Sequence, residues 1–193
     1  DFWDVERSEL EREAGEYLDW VGRLHDIRAP YLTDKMPFNY THVWLIKALF
    51  PDSPIVNCQR HPLDVIISNY FQLYGSDVSF VYDLDALARY YIRYHRLMIH
   101  WTELFDNQVY NAVYEALVAD VEDQTRELID AVNLEWEDSC LDQNQSQTAV
   151  RTASIWQVRE GIYTSSRERW KKYDKYLGGV ISTLAAEGIL DQD

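Results

Sequence analysis

A helix-rich α/β fold, with a parallel sheet flanked by helices in three layers, is the architecture this sequence predicts, and three observations predict it. Apolar runs at Ile55-Val56-Asn57-Cys58 and from Gln108 to Val113 have strand character, and each is followed by a helical stretch. Strands that alternate with helices favour a parallel sheet over a bundle. The 193 residues, 47% of them hydrophobic and 26% charged, are enough to bury one core, so one compact domain is expected.

From about Val5 to Leu24, the positions of Leu10, Ala14, Leu18, Val21 and Leu24 with Glu and Arg between them predict an amphipathic helix, closed by Pro30. Tyr31-Leu32-Thr33 is a short extended candidate that ends in the Asp34-Lys35-Met36-Pro37 turn. A second helix is expected from Thr41 to Phe50, broken by Pro51-Asp52-Ser53-Pro54. Ile55 to Cys58 then reads as a buried strand, and Pro62 suits the first turn of a helix running to about Leu73. Leu84, Leu87, Tyr91, Tyr94, Met98 and Trp101 mark one side of a long helix. Helices from about Leu117 to Val132 and from about Arg169 to Glu187 complete the order, with an aperiodic loop from Asp142 to Thr152.

A formal net charge of -15 repels phosphate backbones at long range, which argues against general nucleic-acid binding. No apolar run reaches the roughly eighteen residues of a membrane helix. Asp1 stands first and a helix begins soon after it, so the chain reads as starting inside a larger protein. Cys58 and Cys140 form neither a disulfide framework nor a zinc spacing, which suits a reducing compartment such as the cytoplasm. None of the seven glycines belongs to a Walker-type or GxGxxG phosphate loop.

Three segments could carry chemistry. Arg60 follows a strand, where open α/β sheets place ligands, and Ser68 lies on the next helix, so a guanidinium fork and a hydroxyl could grip one phosphate. The alternative is an Arg60–Asp64 pair with Ser68 facing solvent, and on spacing alone it stands ahead. Lys35 could project over the same sheet edge, or it is one more solvated turn lysine. The run from Val150 to Arg159, followed by Ser165-Ser166-Arg167-Glu168-Arg169-Trp170, is dense in donors, which an anionic ligand would explain and pairing with the many acidic residues would also explain.

Taken in order, Thr33-Asp34-Lys35-Met36-Pro37, Arg60-His61-Pro62-Leu63-Asp64 with Ser68, Val113-Tyr114-Glu115-Ala116-Leu117-Val118, Arg151 to Arg159 and Arg169-Trp170 resemble the sulfotransferase family. The likeness is to tyrosylprotein sulfotransferases and to bacterial sulfotransferases often joined to tetratricopeptide repeats, and it runs from about Leu32 to Leu184. It implies a P-loop-NTPase-like fold and the donor 3′-phosphoadenosine 5′-phosphosulfate, with adenosine 3′,5′-bisphosphate as product and no metal. It further implies that Arg60 and Ser68 bind the 3′-phosphate, that Lys35 and Ser154 act on the transferring group, and that Tyr114 contacts the nucleotide. Gln157, Val158 and Arg159 fall in the segment resembling the family's flap over the nucleotide, and Arg169 replaces a family lysine with a differently shaped cation.

The sequence departs from the pattern in two places. Gln72 stands where tyrosylprotein sulfotransferases have an arginine. Nothing between Asp1 and Tyr31 resembles the 5′-phosphosulfate loop or the general base that follows it, so residues 1–193 are expected to form a partial domain, incomplete in fold, with weak or no transfer by itself. The acceptor stays open between a protein tyrosine, a carbohydrate and a small alcohol, and tetratricopeptide repeats upstream would suit the bacterial relatives. Two rival classes remain at this stage: a nucleotide-binding or kinase-like module of related architecture, and a non-catalytic interaction domain using aromatic faces that include Tyr90, Tyr94 and Trp101.

Overall fold

A computed structural model describes residues 5–25, 30–74, 76–106, 108–142 and 167–190. Seven α-helices are described: α1 (Arg7–His25), α2 (Val43–Leu49), α3 (Pro62–Tyr70), α4 (Leu84–Leu104), α5 (Tyr114–Ala119), α6 (Val121–Ala131) and α7 (Gly178–Ala186). The strands are β1 (Ile55–Gln59) and β2 (Val109–Val113), paired in parallel with Ile55 opposite Val109 and Gln59 opposite Val113. The expected helix-rich α/β class with a small parallel sheet flanked by helices is what the chain forms.

β1 is half exposed rather than buried, because Val56 and Cys58 point outward while Asn57 is held inside. Tyr31-Leu32-Thr33 is irregular and exposed, without strand pairing. In α1, Ala14 and Val21 turn inward, whereas Leu18 and Leu24 face out, so its apolar stripe is narrower than the sequence pattern suggests. The second helix is divided into a 3-10 turn at Asn39–Thr41 and α2.

The helix expected from Leu117 to Val132 is interrupted at Asp120, an extended residue whose side chain accepts the Asp123 N–H and so caps α6. The helix expected from Arg169 is a 3-10 segment, Arg169–Tyr176, followed after Leu177 by α7. Leu177 has no solvent exposure, so the chain bends there to bury it ahead of Gly178 and Gly179.

α4 joins two apolar clusters. Its N-terminal half, with Leu87, Ala88 and Ile92, packs with Leu63, Ile66 and Ile67 of α3 and with Leu177, Val180 and Leu184 near the C-terminus. Its C-terminal half supplies Met98 and Trp101 to a second cluster with Val43 and Val109, which ties α2 and β2 to the same helix. Each fully buried aliphatic side chain contributes about 1.5–3 kcal/mol relative to exposure, so α4 is the principal organiser of the fold. Asp83 caps its N-terminus by accepting the Ala86 N–H at 2.8 Å.

Candidate anion-binding site

β1 ends at Gln59, and Arg60 and His61 turn the chain into α3, which opens on Pro62. Proline fits this position because its fixed φ suits a first helical turn and its missing N–H would have had no partner in the helix. A cleft of about 610 Å³ opens over the turn, lined by residues that include Gln59, Arg60, His61, Tyr91, Tyr94 and Glu115. It therefore lies beside the carboxyl ends of the parallel strands, the place where open α/β sheets receive ligands.

The Arg60 guanidinium lies over the Tyr114 ring, 4.9 Å from its centroid, and stands 3.6 Å from the Asp64 carboxylate. That separation exceeds a direct hydrogen bond, so the interaction with Asp64 is chiefly Coulombic. Asp64 has stronger partners. Its fully buried carboxylate accepts the backbone N–H groups of Glu168 and Trp170, each at 2.9 Å. Two aligned donors and the N-terminal turn of α3 compensate the burial of this charge.

Through these bonds the strand-turn-helix and the Arg169–Tyr176 segment become neighbours. The His61 and Trp170 rings stack, with centroids 5.4 Å apart and planes 5° from parallel. His61 donates its backbone N–H to Glu115 at 3.0 Å, and its buried Nδ1 has no hydrogen-bond partner among the described residues. Burial holds the His61 pKa below the usual value, against the pull of the Asp64, Glu115 and Glu168 carboxylates. The ring is accordingly neutral near pH 7.

Arg169 sits between the two backbone N–H groups that Asp64 binds. Its guanidinium carbon is 6.0 Å from the centroid of the Phe71 ring, at the outer limit of a cation–π contact. Phe71 follows Ser68 by one helical turn, so the exposed Ser68 and the ring under Arg169 share a side of α3. Arg60 lines the cleft, whereas Ser68 and Arg169 lie on the outer side of the same helix. Tyr114, the first residue of α5, is half-buried beneath Arg60.

Lys35 is exposed in the irregular segment before the 3-10 turn and is not among the described residues lining the cleft. Its neighbour Asp34 pins that segment by accepting hydrogen bonds from the Tyr17 hydroxyl of α1 and from Asn39. The Asp34 bond, aided by burial, pushes the Tyr17 pKa up to about 12. Ser154, Gln157, Val158 and Arg159, together with Arg151, lie outside the described residues.

Several contributors are not apparent from the sequence. Spacing offers Asp64 only as a partner for Arg60, and nothing in the residue order signals the stacking of His61. Asn57 and Asn111 face each other in the β1–β2 register and bond through their side chains at 2.8 Å, while Tyr94 donates to Asn57 at 2.8 Å and Gln59 to Asn111 at 2.9 Å. An asparagine in an otherwise apolar strand is the available signal for this network. No group of three or more His, Cys, Asp or Glu side chains gathers as a metal site among the described residues.

A small parallel sheet flanked by helices, with an arginine at the turn that follows β1, defines the α/β class of this protein. The chain belongs to the sulfotransferase family, whose pattern it matches over residues 3–138. It is also similar to an uncharacterized protein of Aquifex aeolicus (strain VF5), 39% identical over 178 residues. That match takes in 91% of this chain and 23% of the relative, so the chain spans about a quarter of that protein's length. No helix among the described residues is long and apolar enough to cross a membrane.

Proposed function

We propose that this domain binds 3′-phosphoadenosine 5′-phosphosulfate and serves transfer of its sulfuryl group to a hydroxyl or amine acceptor. The observation that carries the proposal is the placement of Arg60 at the α3 entry, beside the carboxyl end of β1 and lining the cleft, in a chain whose formal net charge is -15. A permanent cation at that position in so acidic a molecule suits an anionic ligand. Membership of the sulfotransferase family adds the sulfuryl-transfer chemistry.

The 3′-phosphate end of the donor is assigned to Arg60, Ser68 and Arg169. Arg60 offers a planar fork held over Tyr114, Ser68 offers a hydroxyl from α3, and Arg169 offers a second permanent charge. Tyr114 then contributes through its ring, and Gln157, Val158 and Arg159 are assigned to the nucleotide's cover by resemblance alone. When bound, the donor supplies an activated sulfuryl group on a phosphate leaving group. Lys35 and Ser154 are assigned to donate toward the bridging and sulfuryl oxygens, where negative charge grows during in-line displacement.

The 5′-phosphosulfate loop of the family has no counterpart in the 193 residues, and we assign it to a part of the protein outside them. A protein tyrosine, a carbohydrate and a small alcohol all present the acceptor group this chemistry requires. Calorimetry on the full-length protein tests the proposal, using adenosine 3′,5′-bisphosphate and ATP as probes. The expected result is preference for the 3′-phosphorylated nucleotide, weakened roughly tenfold or more by Arg60→Ala. Equal or tighter ATP binding, or affinity untouched by Arg60→Ala, overturns it.

A further inference from the structure

Asp64 is one of the few buried charged side chains described, and the reaction proposed above gives it no task. Its carboxylate is fully enclosed, and the Arg60 guanidinium beside it, at 3.6 Å, is not its closest partner. Instead it accepts two backbone N–H groups, from Glu168 and Trp170, across 104 and 106 positions of sequence. The residue between those two donors is Arg169.

The segment it grips is conformationally selected. Glu168 has φ 54° and ψ 24°, the left-handed region that costs a side chain other than glycine about 1 kcal/mol or more. Such a conformation persists only where surroundings over-determine it, and here the Glu168 N–H is itself one of the Asp64 donors. The left-handed residue stands at the N-cap of the 3-10 segment, whose first two residues place Arg169 against Phe71 and Trp170 against His61. Without a buried acceptor at position 64, both N–H groups would lose their partner and the left-handed residue would lose its anchor.

We propose that Asp64 is a positioning residue that sets Arg169 against the Ser68 side of α3, so that one buried carboxylate lies beside Arg60 and fixes the backbone that carries Arg169. It acts on Arg60 through charge at 3.6 Å and on Arg169 through the backbone on either side of it. It need not touch the ligand. This inference rests on the nucleotide reading above and deepens it, because it names the residue that fixes the backbone on both sides of Arg169.

The test is a double-substitution cycle in the full-length protein, with adenosine 3′,5′-bisphosphate and adenosine 5′-monophosphate as probes. Their affinity ratio isolates the 3′-phosphate. Asp64→Asn should lower that ratio tenfold or more and leave monophosphate binding within threefold. Arg169→Ala should lower the ratio when Asp64 is intact and change it less than threefold when combined with Asp64→Asn, since Arg169 has already been displaced. Equal Arg169→Ala penalties in both backgrounds overturn the inference, while the nucleotide reading stands if Arg60→Ala still abolishes the preference. An unsubstituted protein that ignores the 3′-phosphate overturns the nucleotide reading and the inference together.

Hydrogen exchange in the unsubstituted protein keeps the question open to refutation if Asp64→Asn fails to fold. The Glu168 and Trp170 amides should exchange at least tenfold more slowly than exposed amides of the same segment, and adenosine 3′,5′-bisphosphate should slow them further. Fast exchange at both, with or without the bisphosphate, overturns the role assigned to Asp64.

Discussion

His61 and Trp170 lie face to face, 109 positions apart in the chain, with their ring planes only 5° from parallel. The stack buries an imidazole whose Nδ1 has no hydrogen-bond partner among the described residues, and burial lowers its pKa against three nearby carboxylates. This contact seals the junction between the α3 entry and the Arg169–Tyr176 segment.

A pH dependence of stability follows. With the folded pKa of His61 below the unfolded value near 6.5, the unfolded chain binds the extra proton first as pH falls. The contribution of the neutral ring is therefore complete above about pH 6.5 and is lost on acidification through the folded pKa. Thermal melts between pH 7.5 and 5 should fall more steeply for the natural protein than for His61→Phe, and identical slopes would count against it.

The paired asparagines under the cleft give a second expectation. Asn111→Ala removes the acceptor shared by Asn57 and Gln59, and Asn57 is buried, so its amide is left without that bond. The loss should be about 1–3 kcal/mol, read from denaturant midpoints at unchanged slope. Gln59→Ala, on an exposed bond to the same acceptor, should cost well under that.

Lys35 is assigned to the transferring group, so its loss should appear in turnover rather than in nucleotide affinity. Under the proposed function, Lys35→Ala in the full-length protein should lower kcat about a hundredfold or more, equivalent to about 2.7–4 kcal/mol of transition-state stabilisation. Because the side chain is exposed, the melting temperature should hold. A near-normal kcat would remove Lys35 from the mechanism.

The left-handed residue at the segment entry gives the fourth. Glu168→Gly relieves an unfavourable backbone region and should leave the melting temperature unchanged or higher, whereas Glu168→Val should lower it, since a β-branched side chain fits that region worst. The ion pair with Lys171 is exposed at both ends and its loss should not reverse the order. Equal effects of the two substitutions would contradict the argument.

Local patterns carry most of the fold. The α4 stripe and the Pro62 start of α3 are legible because helical period and proline chemistry act over a few residues. The breaks at Asp120 and Leu177 are not, since capping by one residue and burial of one leucine outweigh helix-compatible neighbours. In the site, Arg60 is readable from its place after a strand. The task of Asp64 is hidden, because its partners are backbone groups more than a hundred positions away and carry no residue-type signature.

The single ladder among the described residues pairs Asn57 with Asn111, so its halves start 54 positions apart and no tight turn can bring them together. Loop-closure entropy must be met before that pairing repays it, so strand registration should follow the packing of α3 on α4, whose residues lie closer together in the chain. Altered side chains in β1 or β2 would then speed unfolding with little change in the refolding rate, and those in the α3–α4 contact would slow refolding.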